Sequence, residues 1–283
     1  MMLRAKDIGG FIIASRVPNL FIIAYTQFAT AWFILDIPSS EILNVSFSLF
    51  ILSTAMIGAG GYIINDYFDQ KIDMINRPDH VVIGTDLRRR FALLSHLVLS
   101  VGGILLGFYI DPMIGIVHIF SAGALWTYSL GIKKILLLST LTLSFLTSLT
   151  MLLVMIYFRE LNIIVLAFAL FGCITTFVRE TLKDIVSAKG ERVFGIQSVP
   201  IVWGIRGAKL TIFITCIIGV IMLSLYLVTV PNWNLRYYFL LTFLVIAWFF
   251  YRLIKADKQN DFKHLKLFND LIIVSGLVSM TLI

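Results

Sequence analysis

Nine apolar stretches, each about 20 residues and so about the length that crosses a bilayer as a helix, lie at 17–35, 42–64, 91–110, 113–131, 136–157, 161–182, 207–229, 235–254 and 267–283. Hydrocarbon offers a backbone no hydrogen-bond partners, so a chain dominated by such stretches has to satisfy its own amides helix by helix. We therefore expect an all-α polytopic membrane protein, a bundle of nine transmembrane helices, with 1–283 forming a single integral-membrane domain. Charged residues make up only 14% of the chain, against about 25% in soluble domains. The first stretch reads as a retained helix and not as a cleaved signal peptide.

The basic residues set the orientation. Of the 23 Lys and Arg, 21 fall at alternate joints, from Arg4, Lys6 and Arg16 through to the run between Arg252 and Lys266; only Arg159 and Arg236 fall opposite. This places the N-terminus in the cytoplasm and the C-terminus outside, in a bacterial or archaeal plasma membrane. The net charge of +7 is then a topology signal and gives no reason to expect nucleic acid as a partner. Cys173 and Cys216 lie inside apolar runs and read as packing residues. The four histidines are scattered without metal-site spacing, which argues against zinc.

Two polar stretches break the apolar pattern, both on the cytoplasmic side. The first is Asn65-Asp66-Tyr67-Phe68-Asp69-Gln70-Lys71-Ile72-Asp73, directly after the apolar run 51–64. On a helix Asn65, Asp69 and Asp73 stack along one face, and like charges at that spacing require a compensating cation. Hard oxygen ligands at a membrane edge suit Mg2+, although a solvated helix end reads as well from the carboxylates alone. The second stretch runs from Arg179-Glu180 through Lys183-Asp184 to Gly190-Glu191. Four charges in six residues at a membrane helix end have to face one another or a wet cavity. Arg16 either snorkels to headgroups or binds phosphate, and the Lys133-Lys134 pair serves either topology or phosphate. The loop from Met74 to Arg90 reads as a small interfacial lid, and the basic run 252–266 as a topological loop.

Taken together, carboxylates for Mg2+, cations for phosphate oxygens and an apolar interior suit a substrate with a diphosphate head and a hydrocarbon tail. Metal and cations would stabilise departing diphosphate, and the apolar cavity would keep water from the allylic cation. A transporter would show acids at mid-membrane depth and an inverted repeat, and neither is present. A protein that binds prenyl lipid without catalysis is a further alternative.

The first stretch, continued by Asn76-Arg77-Pro78, resembles the N-D-x-x-D-x-x-x-D motif of the UbiA-type intramembrane prenyltransferases, and the resemblance covers nearly the whole chain. It implies a nine-helix bundle in which two aspartate-rich motifs bind a polyprenyl diphosphate through Mg2+ and pass the prenyl group to a lipophilic acceptor. Asn65, Asp66, Asp69 and Asp73 match the first motif, and Lys183 and Asp184 match within the second. Tyr128 and Lys133-Lys134 resemble the tyrosine and basic residues expected near the diphosphate. Joined to the reading of the residues, this implies metal ligation by Asn65, Asp69, Asp73, Glu180, Asp184 and Glu191, and catalytic roles for Asp66, Asp69 and Asp184. Substrate contacts would come from Arg16, Asn65, Arg77, Tyr128, Lys133, Lys134, Arg179 and Lys183. Ser187 and Ala188 stand where the family carries a further acid, and Glu191 where aspartate is common. The Ile72-Asp73 to Arg77-Pro78 segment is similar to the digeranylgeranylglyceryl-phosphate synthase branch, whose acceptor is a prenylated glycerol phosphate; aromatic and quinone precursors are the alternative acceptors.

Overall fold

A computed structural model describes residues 5–229 and 233–283. Arg4 and the expected Pro231-Asn232 turn lie outside the described residues, as does the side chain of Arg236. The described chain is helical, with one isolated bridge between Ile83 and Leu87. Its longer helices are α1 (Ala5–Ala14), α2 (Val17–Ala29), α3 (Val45–Asn76), α4 (Arg89–Ile110), α5 (Pro112–Leu130), α6 (Leu138–Phe158), α7 (Ile163–Val193), α8 (Gly204–Thr229), α9 (Trp233–Lys255) and α10 (Gln259–Ser279). Among the described residues eight segments are long and apolar enough to span a membrane. The 23-residue α9 stands where the eighth of the nine expected spans was placed.

Two helices outrun the membrane. At about 1.5 Å per residue, the 32 residues of α3 and the 31 of α7 reach well beyond a hydrocarbon core of about 30 Å. The surplus turns of α3 carry the first aspartate stretch, and those of α7 carry much of the second. At the opposite ends, side chains cap exposed amides: Asn44 accepts from the Ser46 N–H at 3.1 Å, Asp111 from Met113 at 2.7 Å and Asn162 from Ile164 at 2.8 Å. Arg159 also donates to Asp111 at 3.1 Å. The Met113 amide first, and then Arg159, hold the Asp111 carboxyl below its ordinary range.

The structure corrects the sequence reading at both ends. An additional helix, α1, precedes the first span, and the chain turns between α1 and α2 at Arg16, whose φ is +52°. The basic run 252–266 is not a loop: α9 continues to Lys255 and α10 starts at Gln259. The Asp261 carboxylate accepts from the backbone N–H of Lys258 at 3.0 Å and Asp257 at 3.2 Å, so α10 is capped two turns earlier than its apolar residues suggested.

The described chain divides into two compact units. The first comprises Met1–Phe28, Ile37–Lys133 and Ile156–Glu160, with α3, α4 and α5 packed on one another. Close approach depends on small residues: a Cβ on Gly103 would lie 2.9 Å from the Ser53 carbonyl oxygen. The segment expected to be an interfacial lid is docked here. Its apolar residues Ile83 and Leu87 are buried with Ala14, Ile63 and Ala92, and Arg88 pairs with the fully buried Asp7 of α1 at 2.7 Å. Gly10 allows this docking, since a Cβ there would meet the Asp86 carbonyl carbon and the Leu87 nitrogen, both at 2.9 Å. Gly10→Val is therefore expected to lift the loop, at a cost of about 1–3 kcal/mol. A lower Tm and faster tryptic cleavage at Arg88–Arg90 would report it; unchanged cleavage would show that the loop is held elsewhere.

The second unit comprises Ala29–Asp36, Lys134–Met155 and Leu161–Ile283. Its core gathers Val178, Leu182 and Ile185 of α7 with Ala208 and Ile212 of α8, Phe249 and Leu253 of α9, and Phe262 and Leu265 of α10. Gly276 lets α10 approach α7, because a Cβ there would fall 2.3 Å from the Phe171 ring.

Candidate active site

In the first unit, Asp66, Asp69 and Asp73 stand at i, i+3 and i+7 of α3, so all three carboxylates share one face, with Asn65 beside them. Each has a cation. Arg16 Nη2 meets Asp66 Oδ1 at 2.6 Å, Lys133 Nζ pairs with Asp69 Oδ1, and Arg77 Nη2 lies 3.6 Å from Asp73 Oδ1. These partners come from three places: the α1–α2 corner, the turn after α5 and the residue after α3. Arg16 also covers the Tyr62 ring at 5.0 Å. It is thus tied to the first aspartate stretch, while 41% of its side chain stays exposed. Lys133 is only 9% exposed, which a purely topological lysine would not be.

The second unit arranges its acids differently. Glu180, Asp184, Ser187 and Glu191 follow at i, i+4, i+7 and i+11, again one face of one helix. Glu180 accepts from Lys183 at 2.8 Å and lies 3.7 Å from Arg179. Glu191 is buried and accepts from the Ser198 hydroxyl at 2.7 Å and from Ser187. Ser187, standing where an acid was expected, thus supports one. Asp184 makes no hydrogen bond or ion pair among the described residues.

Of the other expected residues, Tyr128 is buried near the end of α5. Lys134 is exposed, and its carbonyl accepts from the Gln197 N–H at 3.2 Å. The two adjacent lysines thus have different environments. Sequence reasoning missed Asp270 on α10, which accepts from Arg179 Nε at 2.7 Å. A charged residue inside the mainly apolar stretch 267–283 was the available signal.

Among the described residues no three His, Cys, Asp or Glu side chains converge to cage a metal. Mg2+ does not need such a cage, since it takes one or two protein carboxylates and fills its octahedron with water and phosphate oxygens. The donors suit that pattern. Asn65 Oδ1 is buried with no hydrogen-bond partner among the described residues, and Asp184 makes no ion pair among them. Such an oxygen is costly to leave unmade and favourable to ligate.

An all-helical membrane protein with acids and cations gathered on the surplus turns of two long helices is the class that fold and site define. Residues 18–276 match the UbiA prenyltransferase family, and the chain belongs to that family. Digeranylgeranylglyceryl phosphate synthase of Methanothermobacter thermautotrophicus is 32% identical over 56% of this chain and 57% of its own length. The chain thus matches less than two thirds of that relative. A solved structure concerned with digeranylgeranylglyceryl phosphate synthase in membranes superposes with a TM-score of 0.72 at 20% identity, covering 97% of each chain. A UbiA homolog from Archaeoglobus fulgidus, bound to GPP and Mg2+, superposes at 0.68 and 12% identity over 97% of this chain and 100% of its own.

Proposed function

We propose that this protein is an intramembrane prenyltransferase that moves a polyprenyl group from its diphosphate to a lipophilic acceptor, with a prenylated glycerol phosphate as the acceptor class. The observation that carries the reading is the pairing of acids and cations on the surplus turns of α3 and α7. Such a set supplies metal ligands and phosphate partners at once. The branch is supported by a relative named for digeranylgeranylglyceryl phosphate synthesis and by the Asn76-Arg77-Pro78 segment. The basic residues support placing both clusters in the cytoplasm.

Asn65, Asp69 and Asp73 would hold Mg2+ in the first unit, and Glu180, Asp184 and Glu191 in the second. Bound there, Mg2+ supplies positive charge to the diphosphate oxygens as the carbon–oxygen bond breaks. Arg16, Arg77 and Lys133 in the first unit, and Arg179 and Lys183 in the second, are each placed beside their own unit's acids, where a preorganised cation would neutralise phosphate oxygens as charge builds on a leaving group. The aspartates that restrain Arg16, Lys133 and Arg77 fix where those cations stand before substrate arrives.

The test is transfer by detergent-solubilised protein from radiolabelled geranylgeranyl diphosphate to a panel of glycerol phosphate, aromatic and quinone-precursor acceptors, with EDTA as control. We expect Mg2+-dependent label on geranylgeranylglyceryl phosphate. Label on an aromatic acceptor instead would move the protein to another branch, and no transfer to any acceptor would overturn the reading.

A further inference from the structure

Besides its capping Asp261, helix α10 carries an acid, Asp270, that belongs to neither aspartate stretch and is followed by Leu271-Ile272-Ile273-Val274. A carboxylate embedded in a spanning helix is costly unless it is paired and put to use. Asp270 divides its two oxygens between two cations. Oδ1 accepts from Arg179 Nε of α7 at 2.7 Å, and Oδ2 lies 3.6 Å from Lys266 Nζ, one turn earlier on α10. Arg179 Nη1 is 3.7 Å from Glu180 Oε1. The Arg179 side chain stays 36% exposed.

We propose that Asp270 is a positioning residue for the diphosphate of the prenyl donor, acting through Arg179. Arginine presents five N–H donors in a planar fork. A carboxylate bonded at Nε fixes the plane of the guanidinium and occupies the donor nearest the backbone, which leaves the terminal nitrogens for phosphate oxygens. A long side chain already held in place loses less freedom when the ligand arrives. Lys266, held by the other carboxylate oxygen, adds a second cation at the same point. The inference rests on the assignment of Arg179 to diphosphate binding made above.

An ion pair that merely ties α7 to α10 would use the same residues, although another tie already exists one turn away, where Asn269 Nδ2 donates to the Thr175 carbonyl at 3.0 Å. The two accounts diverge in kinetics. For a positioning residue, Asp270→Asn raises KM for geranylgeranyl diphosphate about ten-fold and leaves kcat within about two-fold, the pattern of a lost binding interaction. Asp270→Glu recovers most of that loss. In an Arg179→Gln background Asp270→Asn adds nothing, because the group through which it acts is gone. An unchanged KM, or an equal further loss in the Arg179→Gln background, overturns the proposal, as does a fall in Tm with kcat reduced at constant KM.

Calorimetric binding of inorganic diphosphate with Mg2+ needs no turnover and separates this inference from the transferase reading. Wild-type protein that binds inorganic diphosphate but transfers nothing removes the transferase reading. Asp270 is then judged on whether Asp270→Asn weakens that binding about ten-fold. Wild-type protein that binds no diphosphate overturns both.

Discussion

Replacing Asp69 by asparagine is expected to lower prenyl transfer by about 10²- to 10³-fold, the loss typical when one preorganised charge partner of a departing anion is removed. The change keeps the side-chain shape and removes one negative charge. Asparagine is a poorer ligand for a hard cation than carboxylate, so the Mg2+ concentration that gives half-maximal rate should rise as well. Asp69 also stabilises the fold, because Lys133 is only 9% exposed and this carboxylate is its partner. An ammonium left there without its counter-charge costs about 2–3 kcal/mol, below the figure for a wholly dry pair because Asp69 keeps some contact with water. Asp69→Asn should therefore melt at a lower temperature than wild type in detergent. The double variant Asp69→Asn/Lys133→Met tests whether the two effects are separate. It should recover much of the lost Tm, since neither charge remains, and recover none of the activity. A double variant that regains transfer would show that the activity loss came from misfolding and that Asp69 has no role in chemistry.

The fold was legible because its largest energy, burial of apolar surface in hydrocarbon, is written locally in runs of about 20 residues. The first aspartate stretch was legible for a related reason. Spacings of four put Asn65, Asp69 and Asp73 on one face of any helix that contains them. The need for a cation followed from their repulsion, but its source did not. Arg16 is 50 residues from Asp66 and Lys133 is 64 from Asp69, and no local rule links positions so far apart. Arg16 reaches Asp66 from a corner with left-handed backbone geometry, which few residues adopt. The apolar patch around Ile83 had two places to go, lipid or core, and the approach of Gly10 to the Leu87 backbone together with the long-range Asp7–Arg88 pair decides for core. Asp270 was overlooked because the basic run before it satisfied the charge bias and was taken for a loop. Its partner, Arg179, is 91 residues away. Ser187 was read as a gap in an acidic motif, whereas its hydroxyl meets Glu191.

Asp184→Asn should abolish transfer as fully as Asp69→Asn, by about 10²-fold or more, yet leave the protein as stable as wild type or more so. The difference lies in what surrounds each acid. Asp69 has a buried lysine, whereas Asp184 has no ion pair among the described residues and stands four residues from Glu180 and seven from Glu191 on the same helical face. Like charges at such spacing destabilise even an exposed helix by about 0.2–0.5 kcal/mol, and partial burial enlarges the penalty. Removing the Asp184 charge relieves that repulsion, so Tm should stay level or rise. Acids crowded on one helical face at the expense of stability are what a missing cation requires, and they follow the common opposition between stability and activity. Mg2+ supplies an independent readout. With inorganic diphosphate present, Mg2+ should raise the wild-type Tm, since a ligand that binds only the folded state stabilises it, and this rise should shrink in Asp184→Asn. Wild-type turnover by Asp184→Asn would remove it from the site. A Tm well below wild type would mean that a cation already compensates Asp184 and that the carboxylate is a structural group.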